Sequence, residues 1–584
     1  MPKPDAALPA GLVALLLALP AAAQTAAPPR GAAPAPAVSG EGPAAPVAAP
    51  AVSGEGPAAP VAAPALQSPA LGPLGGRDTP VGTRSLAGGT LPGFTSIAPG
   101  LGVVGISTPF DLGNRPYAIR PSIGIEVLAT NDVSQTDGRS NVVTTIAPSL
   151  EAAVDTSRLF GSLRYTPALR LYGTHISQND VDQVGDGRLL AALVPGLFYL
   201  DMRGAASVVS VRPGVIPGSG QFVGRRDTSQ TYTAQVTPFL AYRFGSAAAL
   251  QVGYSFQYSR QNGANSSQSS LNGLSEAYTA HRGFAVLRSG EDLGRLALQA
   301  RIDGTRFVGN GIYDDAHRFV AALETRYAIL RSVALLGEIG YENLKYAGTS
   351  PRSIEDPIWS VGLRLTPSPD SIVIVRYGRH SGFNSFSLNA GVALGARTDL
   401  FATYKESLST SLSEAQDLLA STTIDALGNP VDSQSGAPVV LIPPFLGLSD
   451  TLFRMRIGTV SLRYHWPRDV FTLSGTWQKQ DPVTSASTAE SAISSHGTYA
   501  TFSWRHEFSP RTTGMATVQY GRVSSAQFGQ GDGNVYSAAA TLAHELSDKL
   551  TASLQFSWTR DTARTTASET KQQFVFRAGL RRTF

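Results

Sequence analysis

The sequence predicts an all-β fold: one transmembrane antiparallel β-barrel of about 18 to 22 strands, behind a disordered segment rich in alanine and proline. Three observations lead there. Only 15% of the 584 residues are charged, well below the roughly 25% of soluble domains. No stretch is apolar over the roughly eighteen consecutive residues that a membrane helix needs. From Tyr117 to the end, segments of about ten to fourteen residues alternate apolar with small or polar side chains. That period of two marks a strand with two unlike faces.

Residues 1–23 read as a secretory leader, with Lys3 in the n-region, the apolar run Gly11 to Leu19 and an A-x-A cleavage site at Ala21 to Ala23. Residues 24–92 are Ala/Pro-rich and hold a tandem repeat, AVSGEGPAAPVAAP, at Ala37 to Pro50 and again at Ala51 to Pro64. Such a composition buries too little apolar surface to fold and favours extended polyproline II, which suits a periplasmic spacer or tether. Residues 93–116 form a Gly-rich lead-in; its GLGVVG (Gly100 to Gly105) lacks the strand–turn–helix context of a nucleotide site and reads as chance.

The barrel is expected over residues 117–584. In ALQVGYSFQYS, Leu250, Val252, Tyr254, Phe256 and Tyr258 share one face against Gln251, Gly253, Ser255, Gln257 and Ser259. LTASLQFSWT and RLALQARID alternate in the same way. A soluble sandwich would carry charge on its outer face. Here one face is aromatic and the other Ser, Thr, Gly, Gln and Arg, which suits lipid outside and a wet lumen inside.

Connections alternate in length. DTSR, VPG, FGS, PSPD, PRD and SP read as short periplasmic turns; THISQNDVDQVGDG, QNGANSSQSSLNGLS and the stretch from about Ser409 to Asp450 read as long outer loops. The segments near residues 371–408 are blurred. Pro121, Pro148, Pro167 and Pro238 interrupt early segments and suggest strand ends or bulges.

Side-chain parity then assigns faces. All five tryptophans (Trp359, Trp466, Trp477, Trp504, Trp558) fall on the expected lipid face. Charges inside segments take the other parity, because an arginine facing lipid at mid-membrane costs about 2–4 kcal/mol. The expected lumen-lining set is Arg164, Arg170, Arg243, Arg301, Asp303, Glu324, Glu338, Arg364, Arg376, Arg463, Arg505 and Glu507. Arg282 breaks the rule. Mixed rings of Arg and Glu set ion or sugar preference in pores, and equally can brace a wide barrel.

No catalytic, cofactor or metal site is expected. There is no cysteine, which removes disulfides and thiolate chemistry. None of the eight histidines stands in a nucleophile or metal-ligand spacing. The acids of NDVDQVGDG and GDGN fit turn chemistry better than a Ca²⁺ loop. A net charge of +4, scattered singly, gives no reason to expect nucleic acid.

The segments after RPSIGIEVLATND, the x-P-x-L turns, the loop DALGNPVDSQSGAPV and the terminal strand ending in phenylalanine resemble the β-barrel porin 2 group, in particular the outer-membrane β-barrel proteins associated with exopolysaccharide and PEP-CTERM sorting clusters. The resemblance implies an outer-membrane location and a part in polysaccharide export or display, with polysaccharide export components as partners. Two other readings stay open. One is a surface anchor that binds partners through loops and tail. The other is a TonB-dependent-type transporter, disfavoured by a pre-barrel region too short and simple for a folded plug.

The tail FVFRAGLRRTF sets Phe574, Phe576, Ala578, Leu580 and Phe584 against Val575, Arg577, Gly579, Arg581 and Thr583. It resembles the signal read by the outer-membrane barrel assembly machinery, with Phe576, Leu580 and Phe584 as its apolar positions. Arg582 departs from that pattern. Outer-membrane lipid and this machinery are the expected partners.

Overall fold

An alternating strand leaves backbone donors and acceptors free at both edges, and hydrocarbon satisfies neither. Closure into a ring removes the problem. The computed structural model describes residues 115–132, 140–174, 176, 179–210, 228–261, 276–348, 350–368, 371–410, 422–424, 430–432, 451–485, 495–525, 533–563 and 570–584. The expected leader, the Ala/Pro-rich segment and all but the end of the Gly-rich lead-in lie outside these residues.

The first half of the ring contains β1 (Tyr117–Thr130), β2 (Asn141–Asp155), β3 (Leu159–Tyr172), β4 (Asp180–Val194), β5 (Phe198–Ser210) and β6 (Thr228–Phe244). It continues with β7 (Ala248–Gln261), β8 (Glu276–Ser289), β9 (Leu296–Gly309), β10 (His317–Leu330), β11 (Val333–Tyr346) and β12 (Arg352–Leu365). Then come β13 (Ile372–His380), β14 (Phe383–Ala393) and β15 (Thr398–Thr410). A separate two-stranded hairpin, β16 (Thr422–Ile424) and β17 (Pro430–Asp432), is followed by β18 (Thr451–His465) and β19 (Asp469–Ser485). The ring ends with β20 (Ser495–Ser509), β21 (Thr512–Ser525), β22 (Gly533–Ser547), β23 (Leu550–Ala563) and β24 (Thr570–Thr583).

Each ring strand pairs antiparallel with the next, and β1 pairs with β24, which closes a 22-stranded barrel. The Phe584 N–H donates to the Pro121 carbonyl at 3.0 Å across that seam. The short turns foreseen from sequence all fall at one end, and the long connections at the other. These are called the turn end and the loop end below.

The faces are inverted relative to a soluble protein. Ile125, Leu335, Val361, Leu473, Phe502, Val518, Phe556 and Leu580 point outward and are exposed, while Ser255, Gln257, Thr501, Gln519, Ser537 and Thr559 point inward and are buried. A continuous apolar exterior of this kind is stable against hydrocarbon rather than water.

Four details differ from the sequence reading. Asp180 to Gly187 belong to β4 and not to a loop, so eight of the fourteen residues of THISQNDVDQVGDG are strand. Pro148 and Pro167 lie inside strands, at the gap where the β2–β3 ladder passes from Ile146↔Leu169 to Leu150↔Tyr165. Facing prolines share one missing rung, so two lost donors cost a single break. Pro238 makes a similar gap between Val236↔Phe256 and Phe239↔Gly253. The blurred region resolves into β13, β14 and β15, and its hairpin is short because Ser381 (φ 54°) and Gly382 (φ 79°) turn it within two residues. Paired positive φ values make the type I′ geometry that matches strand twist.

Candidate functional site: the barrel interior

In an antiparallel ladder, residues directly opposite share a face, so the register fixes which side chains enter the lumen. Arg301 sits across from Val286 and Ala322, Glu324 across from Glu338, and Arg364 across from Ala334, all on the inner face. Arg164, Arg170, Arg243, Asp303, Arg376, Arg463, Arg505 and Glu507 take the same parity in their strands.

Four of these residues form one network. Arg301 reaches Glu324 at 3.1 Å and Glu338 at 2.6 Å, and Arg376 lies 4.0 Å from Glu338. Ser360 Oγ donates to Glu338 at 3.0 Å, and His380 Nε2 is 3.3 Å away. The two carboxylates stand opposite each other on β10 and β11. They are tolerated because the guanidinium of Arg301 lies between them. The other residues pair elsewhere: Arg164 with Asp186 (2.7 Å), Arg170 with Asp182 (2.6 Å), Arg463 with Asp399 (3.3 Å) and Arg505 with Glu507 (3.0 Å). Arg243 and Arg364 also face inward.

Arg282 is not an exception. It lies opposite Ser255 and Thr305 on the inner face and binds Asp303. The aromatics of β8 misled the parity, because Tyr278 and Phe284 also point inward. Phe284 packs on Phe239, and a side chain at Gly253 would sit 2.5 Å from the Phe284 ring. A small residue opposite a large one inside the barrel was the available signal.

Sequence reasoning also missed Asp201 held between Arg188 (3.3 Å) and Arg203 (2.7 Å), all three side chains nearly inaccessible. Asp182 and Asp186, set aside as loop acids, are the carboxylates that neutralise Arg170 and Arg164.

The loop end of the lumen is packed. Tyr278, Phe307, Tyr313 and Tyr346 form an aromatic cluster with ring centroids 4.4–6.1 Å apart. Tyr313 comes from a one-turn 3-10 helix, Gly311–Tyr313, in the β9–β10 connection. A hydrogen bond of 2.8 Å from Lys345 to Asp315 pins that connection, and the same ammonium holds the Asp315 carboxyl below the usual carboxylate range. Against the cluster lie Leu408, Leu452 and Val483 from the upper ends of β15, β18 and β19. Tyr313 Oη and Thr410 Oγ1 are 2.8 Å apart, and Thr484 Oγ1 donates to the Ala347 carbonyl.

Leu408 and Leu452 share the parity of Leu400, Leu462 and Trp477, which is the outward parity lower in the same strands. The outer face of β15 and β18 therefore packs on the inner face of β8, β9 and β11 at the loop end: the wall folds in on itself. The β13–β14 tip goes with it. The Arg454 guanidinium of β18 stands 4.2 Å from the ring centroid of Phe383 at that tip.

The middle of the lumen elsewhere is lined by hydroxyls and amides that satisfy one another across strands. Gln235 donates to Thr237 (2.9 Å) and Ser255 (3.0 Å), Ser149 meets Thr166 at 2.7 Å, and Ser537 donates to Gln519 at 3.1 Å.

No protein-family model matches this chain, nor does any curated protein. Solved structures similar to it include the siderophore receptor PirA from Acinetobacter baumannii, at 9% identity over 83% of each chain with a TM-score of 0.45. The closed form of the ferric-catecholate import receptor Fiu from E. coli K12 matches at 10% identity over 79% of this chain and 81% of that one, with a TM-score of 0.45. OccK2 (OpdF) from Pseudomonas aeruginosa matches at 11% identity over 80% of this chain and 97% of that one, with a TM-score of 0.30.

Proposed function

We propose that this chain is an outer-membrane channel whose polar inner face passes small hydrophilic solutes and whose loop end is narrowed by the infolded wall. One observation carries the reading: around a closed 22-stranded ring, apolar side chains point out and are exposed while Ser, Thr, Gln and paired charges point in. A ring of 22 strands is wider than inward side chains alone can fill, so the packed loop end acts as a constriction. Refolded protein should give discrete current steps in planar bilayers. Inserted, heat-modifiable protein that gives no current would overturn the channel and leave an anchor role.

The likeness to exopolysaccharide-associated barrels extends the proposal to moving or displaying a surface polysaccharide with export components. Deletion of the gene should then reduce surface polysaccharide, with return on complementation; an unchanged polysaccharide coat would argue against this part alone. We also propose that Phe576, Leu580 and Phe584, outward and exposed on the closing strand, present the signal read by the assembly machinery. Deleting Phe584 should lower the heat-modifiable form at least several-fold, and normal levels would refute the signal.

A further inference from the structure

The outer wall carries a built trough near the turn end. One row of outward residues runs Trp504, Ala516, Ala540, Phe556, Phe576 across β20 to β24, each opposite the next in register. Two alanines between aromatics leave a hollow two strands wide, and the Phe508 ring lies against Gly514 in the row nearer the turns. The cavity there has a volume of about 310 Å³ and is lined almost wholly by apolar side chains. It begins within two residues of the β20–β21 turn and ends at Phe556, six residues beyond the start of β23. At about 3.4 Å per residue and a tilt of about 40°, that is about 15 Å along the membrane normal, or half of an apolar layer about 30 Å thick.

Polar groups fringe the same end. Asp469 accepts from the Trp504 indole at 2.8 Å and lies 2.7 Å from His506 Nδ1. Arg511 and Lys549 sit in the turns below the trough, Arg511 as one half of an exposed pair with Asp548 at 3.5 Å that a phosphate would displace, and Arg582, exposed and outward, lies 5.4 Å from the Phe584 ring. An apolar hollow one leaflet deep, ending at exposed cations, matches one molecule class: a lipid with an acyl chain and an anionic phosphate headgroup.

We infer that the β20–β24 face holds one phospholipid of the adjacent leaflet, its acyl chain on Ala516 and Ala540 between Trp504 and Phe556 and its phosphate at Arg511, Lys549 and Arg582. This rests on the membrane reading above. The test uses the full-length barrel refolded in vesicles of phosphatidylethanolamine and phosphatidylglycerol, extracted into mild detergent and weighed by native mass spectrometry during stepwise delipidation. Wild type should retain one more phospholipid than Ala540→Phe, which fills the trough. Ala538→Phe, which adds the same bulk to the outer face two residues along β22, should retain as much as wild type. Arg511→Ala combined with Lys549→Ala should lower retention of phosphatidylglycerol at least threefold.

Equal retention by wild type and Ala540→Phe overturns the site, and Ala516→Leu repeats the comparison with a smaller change if Ala540→Phe fails to fold. A wild-type dimer mass that Ala540→Phe abolishes would assign the trough to a second copy instead. Failure to insert into vesicles would overturn the membrane reading together with the site; normal insertion without retained lipid would overturn the site alone.

Discussion

Two arcs of one wall are built by different rules. From β20 to β24 the alternation is more regular: most aromatics and aliphatics face out and mostly small and polar groups face in, with Tyr499, Val523, Val535 and Val575 as inward exceptions. From β8 to β12, and at the loop ends of β15, β18 and β19, large apolar residues turn inward as well, and charges there are buried in networks. Arg505–Glu507 in the first arc keeps 30% and 47% of its side-chain surface, whereas Arg301–Glu338 in the second keeps 9% and 6%. The same pair of residue types thus serves as a solvated surface pair in one arc and a buried brace in the other. Position in the sheet, and what lies across the lumen from it, sets the difference.

Breaking the brace should have the largest effect. Glu338→Ala leaves Arg301 and Arg376 short of a carboxylate, and loss of one partner from a buried pair costs about 3–5 kcal/mol. Urea unfolding of the detergent-folded barrel should show it as an early loss of the heat-modifiable form; a midpoint equal to wild type would mean the network does not brace the wall.

Tyr313→Ala comes next. It removes a buried ring from the loop-end cluster, where such truncations cost about 3 kcal/mol or more. On the channel proposed above it should also raise single-channel conductance, since the ring stands in the packed loop end. Destabilisation with unchanged conductance would separate the packing from the gate.

Gly382→Ala is expected to be milder. The left-handed conformation at φ 79° costs a side-chain-bearing residue about 1–2 kcal/mol, and its Cβ would also stand 3.3 Å from Ile354. The readout is a modest drop in midpoint with greater protease cutting at the β13–β14 tip. Arg505→Ala, in the regular arc, should change stability by under about 1 kcal/mol; a larger loss would erase the distinction between the arcs.

The regular arc was readable in advance. For β23 and β24, and for β7 outside that arc, parity alone placed each quoted side chain, because lipid keeps the aromatic rings of these strands on one face. Where the lumen is packed, the rule weakens, since aromatics are then welcome on both faces. Tyr278 and Phe284 reversed the assignment of β8 and made Arg282 look misplaced. Asp182 and Asp186 were missed for another reason: at a strand's loop end, polar residues on both faces look like a loop.

The sequence by itself determined the fold class, the alternation of short and long connections and the inward direction of most strand charges. Each follows from local chemistry, a period of two against an apolar solvent. Only the tertiary structure decided that Arg301, Glu324, Glu338 and Arg376 share one network, that Asp201 sits between two arginines and that the wall folds inward at the loop end. Those depend on strand register and on contacts between strands far apart in the ring, and no local pattern in the chain encodes either.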